Sequence, residues 1–89
     1  MTNEDNLVYV LIELKAGQEE RFRKYVESKG LLKDPNSEHM DTVHGTYDVV
    51  ITFRGSTESI DARIMEMRKS PSISKTTTLT KVQTFNRKD

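Results

Sequence analysis

The run Leu7-Val8-Tyr9-Val10-Leu11-Ile12-Glu13-Leu14 decides how the rest of the chain must fold. It is rich in β-branched and aromatic residues and stops at Ala16-Gly17, the pattern of a strand followed by a turn. Side chains alternate across a strand, so Val8, Val10, Ile12 and Leu14 share one face while Leu7, Tyr9 and Leu11 share the other. Both faces are apolar, and both therefore expect cover. Tyr47-Asp48-Val49-Val50-Ile51-Thr52-Phe53-Arg54 repeats the pattern and predicts a second strand of this kind, entered through the Gly45-Thr46 turn.

The remaining elements fall into place around these two. Over Gln18–Lys29, Phe22, Tyr25 and Val26 make a helical stripe, with Glu19 and Glu20 in the first turn and Lys29 before Gly30. Gly30–Ser37 carries Gly, Asp-Pro and Asn-Ser and predicts a loop, and the more polar Glu38–His44 predicts a strand near a sheet edge. Ser56 or Thr57 can cap a second helix running to Lys69, with Ile60, Ile64 and Met67 as its apolar stripe and Pro71 as its stop. The threonine-rich Ser74–Phe85 predicts a last strand, and Asn86–Asp89 a frayed tail. Strand, helix, strand, strand, helix, strand is the βαββαβ order of an α+β, ferredoxin-like sandwich: a four-stranded antiparallel sheet with two helices on one face. Two helices cover one face only, so the second apolar face calls for another copy of the chain, as in dimeric α/β barrels.

Length and composition bound the function. The 89 residues leave room for one domain over 1–89; its ordered core is expected over about 7–85, in a chain that buries only about 60–65% of its unfolded surface. Lys plus Arg and Asp plus Glu each number 14, so no net field holds a phosphate backbone and direct nucleic-acid binding is not expected. No apolar run approaches the length of a membrane span, and Met1–Asn6 lacks the plan of a secretory signal, which points to a cytoplasmic protein with no membrane partner. With no cysteine, thiolate metal sites and cysteine nucleophiles are excluded. In a regular strand His39 and Asp41 point away from Met40 and His44, so one ion does not collect both histidines, and neither metal nor cofactor is expected. The basic residues of both helices are interleaved with acids, as on solvated faces.

The turn Gly45-Thr46-Tyr47-Asp48 resembles the Gly-x-Tyr-Asp turn of the Lrp/AsnC family's ligand-binding domain, the RAM domain. Arg68-Lys69-Ser70-Pro71-Ser72-Ile73-Ser74-Lys75-Thr76-Thr77-Thr78-Leu79 is similar to the same family's helix end, Pro-Gly-Val turn and Thr-x-Thr-Leu strand. The likeness runs from Leu7 to Phe85. Ser72 stands where the family's glycine follows the proline, the Gly30–Ser37 loop is longer than is common, and the helix-turn-helix of full-length members has no counterpart in these residues. The resemblance implies a stand-alone member that pairs sheet against sheet into homodimers. It implies further assembly of the dimers into rings (tetramer, octamer or decamer) and an amino acid or similar small effector held between copies. A partnership with full-length Lrp/AsnC regulators, modulating transcription without touching DNA, follows from the same likeness.

The residues give that site a chemical rationale. Asp48 can accept an α-ammonium, while N–H groups of Gly45–Tyr47 and the hydroxyls of Thr76 and Thr78 can donate to an α-carboxylate. Gly45, Thr46, Tyr47, Asp48, Thr76 and Thr78 are thus the candidate binding residues. Their plainer roles stand beside this: Gly45 as a hairpin glycine, Asp48 as a turn cap, threonines as ordinary strand formers. No spacing of histidines, serines and carboxylates predicts a catalytic pair, so no enzyme activity is expected. A monooxygenase-like enzyme of the dimeric α/β barrel type, with its pocket inside each subunit, and a purely structural oligomerisation module are the alternatives.

Overall fold

The computed structural model describes residues Asn6–Arg87. Along the chain lie β1 (Asn6–Leu14), α1 (Glu19–Lys29), a 3-10 turn (Leu31–Lys33), β2 (Ser37–Thr42), β3 (Val49–Gly55), α2 (Thr57–Met67) and β4 (Ile73–Thr80). The strands pair antiparallel in the order β2-β3-β1-β4, so the two doubly apolar strands are the inner ones and the polar ones form the edges. This is the ferredoxin-like α+β sandwich that the element order predicts.

Register sorts the side chains. Val8, Val10, Ile12 and Leu14 of β1 share a face with Val49, Ile51 and Phe53 of β3, and all seven are buried against Phe22 and Val26 of α1 and Ile60, Ile64 and Met67 of α2. Burying a side chain such as Phe53 or Ile51 fully contributes about 1.5–3 kcal/mol, and both have no exposed surface. The opposite face carries Tyr9, Leu11 and Val50, half-buried by their neighbours alone, with Leu79 of β4 51% exposed. No described helix lies over this face.

Helix ends follow the local chemistry. Gly30 takes the left-handed conformation (φ 64°) that ends α1, and its N–H returns to the carbonyls of Val26 and Glu27. Ser56 caps α2, its Oγ accepting from the Ser59 N–H at 3.2 Å. Tyr25 on α1 leans on α2 and donates its hydroxyl to the Glu66 carbonyl at 3.3 Å; burial, with Glu66 beside it, raises its pKa.

The structure moves several boundaries. β2 ends at Thr42 instead of reaching His44, and β3 starts at Val49 instead of Tyr47, because Val43–Asp48 are used to turn the chain. α2 stops at Met67, two residues before Lys69, where the chain tightens toward Pro71. β4 stops at Thr80, not Phe85: Val8 is the last β1 residue paired with it, and one more hydrogen bond, Lys81 N–H to the Leu7 carbonyl, closes the ladder. Val82 and Phe85 beyond it are 94% and 85% exposed. Ser72, in place of the expected glycine, is buried and donates its hydroxyl to Gln18 Oε1 at 3.5 Å. Part of the tail expected over Asn86–Asp89 lies outside the described residues.

Candidate functional site

The β2–β3 connection is pinned to the sheet through Asp48. Its N–H donates to the Ile12 carbonyl and its carbonyl accepts from the Val43 N–H, each at 2.9 Å, while Oδ2 accepts from the Leu14 N–H at 2.8 Å. That last bond satisfies a backbone donor beside the irregularity between Glu13 and Leu14, where the β1–β4 pairing shifts register. Asp48 is thus a clamp on the end of β1 as much as a member of its own turn. Gly45 sits at φ 145°, which a side chain would strain, and a Cβ there would meet nothing within 4 Å. The turn needs this glycine for its backbone, and space beside it is open.

The candidate residues divide between the two sides of the sheet. Tyr47 reaches Thr77, their hydroxyl oxygens 3.1 Å apart; Thr77 is opposite Leu11 and so lies on the open face. Thr76 and Thr78 share the helix side, opposite Ile12 and Val10. The Thr76 hydroxyl accepts from Arg68 Nε at 2.9 Å, and Thr78 lines a separate hollow with Asn6, Thr57 and Asp61. Within one copy, neither threonine joins the cavity that Asp48 lines.

That cavity, about 320 Å³, opens between the start of α1 and the β2–β3 end of the sheet. Leu14, Phe22, Met40, Val43 and Val49 make its walls, and Asp48, Glu19, Glu20 and Arg23 supply its charges. Arg23 pairs with Glu20 and holds that carboxyl below its ordinary range. Sequence reasoning singled out Asp48 but missed Thr77 and the cavity walls. Strand parity separates Thr77 from Thr76 and Thr78, but only the register reveals that Tyr47 lies within its reach.

On the open face His39 and Asp41 approach at 3.6 Å, and His39 Nε2 lies 3.4 Å from the Thr52 hydroxyl. Among the described residues no three His, Cys, Asp or Glu gather as metal ligands, and no helix is long and apolar enough to cross a membrane.

No protein-family model matches the sequence, and comparison with curated proteins gives no match. Solved structures do match. FFRP-DM1 superimposes with a TM-score of 0.69 at 28% identity over 86% of this chain and 99% of its own. An AsnC family transcriptional regulator from Agrobacterium tumefaciens gives 0.74 at 15% identity over 96% of this chain. The fold is the one found in Lrp/AsnC-type regulators. The chain spans 55% of the Agrobacterium regulator's length, whereas it spans 92% of hypothetical protein PHS023 from Pyrococcus horikoshii, with a TM-score of 0.68 at 26% identity over 89% of this chain.

Proposed function

We propose that this chain is a non-catalytic, small-molecule-responsive homo-oligomerisation domain of the Lrp/AsnC type, binding an amino acid or related metabolite between copies at the Gly45–Asp48 turn. The observation that carries it is the open face of the sheet. Tyr9, Leu11 and Val50 form an apolar centre there, extended by Leu79, with no helix among the described residues to cover it. A second copy is the cover that supplies a matching apolar surface at no cost in new sequence. The exposed neighbourhood of Gly45 supports the second part, since a backbone turn free of side chains on its outer side can be approached by a ligand or by another copy. Thr76 and Thr78 enter such a site only from the neighbouring copy. Among the described residues α1 and α2 both pack on the sheet, and under this proposal any effect on DNA lies with full-length regulators that the domain would assemble with.

The test is light scattering beside a thermal-shift screen of the twenty amino acids. The expected result is an assembly of at least two copies at micromolar concentration and a melting temperature raised by one or a few of them. Asp48→Asn keeps an oxygen for the Leu14 N–H but loses the charge, so the ligand-induced stabilisation read from that rise should shrink by about 1.5–3 kcal/mol, the contribution of a charge-assisted bond. A monomer indifferent to every amino acid would overturn the proposal.

A further inference from the structure

The structure assigns a second small-molecule site to the cavity under the first turns of α1, and we infer that it takes a one-ring or branched apolar molecule bearing a single cationic amine. The site lies inside one copy on the helix side of the sheet; it shares Asp48 with the proposed effector turn but needs neither the open face nor any assembly.

Three observations lead to it. The walls from Leu14, Phe22, Met40, Val43 and Val49 are apolar, and about 320 Å³ lies at the lower end of the volumes that hold small ligands. A cavity with such walls gives water few partners and favours an apolar guest. The charged groups converge from α1 (Glu19, Glu20 and Arg23) and from the entry to β3 (Asp48), and Thr42 at the end of β2 adds a hydroxyl to the lining. Arg23 is committed to Glu20, which leaves the carboxylates of Glu19 and Asp48 without a cation among the lining residues. One oxygen of Asp48 holds the Leu14 N–H, and the other takes no hydrogen bond from any described residue. An amine donor satisfies that oxygen and balances the charge, whereas a carboxylate guest meets two like charges.

Val43, 42% exposed, stands at the mouth, where added bulk closes the entrance without entering the core. The experiment is an NMR titration of the labelled 89-residue chain with 2-phenylethylamine and, separately, with phenylacetate, which carries a similar ring on the opposite charge. Expected are saturable shifts of the Leu14, Val43 and Val49 amides and of the Met40 methyl with the amine, and binding at least about tenfold weaker with the acid, the loss that follows when a charge-assisted bond is replaced by repulsion. Val43→Phe should retain a folded spectrum and lose the Met40 shift. Equal affinity for the two probes, no saturable shift with the amine, shifts centred on Tyr9, Leu11 and Val50, or an unchanged Met40 shift in folded Val43→Phe would each overturn the assignment. Should Val43→Phe fail to fold, the two-probe comparison on the unaltered chain decides alone.

Discussion

The two faces of β1 and β3 are written in similar residues and have different fates. On one, Val10, Ile12, Ile51 and Phe53 lie sealed beneath α1 and α2. On the other, Tyr9, Leu11 and Val50 shield one another only in part. The same kind of side chain therefore stabilises the single copy on the first face and, under the proposed function, would drive association on the second. Stability and assembly should respond separately to changes made one residue apart.

Phe53→Ala tests the sealed face most severely. It should destabilise the fold by about 3–5 kcal/mol in chemical denaturation, through lost burial and the cavity left behind. Leu11→Asp puts a charge on the open face. It should leave the circular dichroism of the folded chain intact yet convert the assembly to monomers by light scattering, since a buried unpaired carboxylate costs more than a paired interface returns. Equal damage to fold and assembly from both changes would break the distinction.

Asp48→Ala sharpens the comparison at the end of the sheet where the faces meet. Removing the acceptor for the Leu14 N–H should cost about 1–3 kcal/mol of stability, and Asp48→Asn should recover most of it. Tyr47→Phe deletes only the hydroxyl contact to Thr77 on the open side, for a loss of about 0.5–1.5 kcal/mol. The smallest effect belongs to Tyr25. Its native pKa is raised, so the unfolded chain loses its proton first, at about 10; stability present below that pH should decline as pH rises through the native value. In Tyr25→Phe that alkaline decline should flatten, as read from melting temperature against pH.

Much of this was legible in the residues. Alternation over Leu7–Leu14 and Tyr47–Arg54 identified the inner strands and their two apolar faces, and the i, i+3, i+4 stripes of Phe22, Tyr25, Val26 and of Ile60, Ile64, Met67 gave the helices. The end of β4 was not legible. Val82 and Phe85 look like further strand residues, but the described pairing with β1 ends at Val8 and Thr80, closed by the Lys81 N–H to the Leu7 carbonyl. The geometry of the candidate turn was half legible. Glycine and aspartate marked the turn, yet the bond from the Leu14 N–H to Asp48 joins residues 34 apart, and no local pattern announces it. The cavity walls were hidden for the same reason: Leu14, Phe22 and Met40 read as core residues, and only their packing leaves a hollow among them.

The order β2-β3-β1-β4 places Ser37-Glu38-His39-Met40-Asp41-Thr42 and Ile73-Ser74-Lys75-Thr76-Thr77-Thr78-Leu79-Thr80 at the rims. Charges on the rims, Glu38 and Asp41 on β2 and Lys75 on β4, make them poorer templates for lateral strand addition. The greasy surface is offered broadside, where under the proposed assembly a self-complementary mate related by a twofold axis would cover it. The composition of the outer strands thereby works against edge-wise addition while the broad apolar face stays free for a mate.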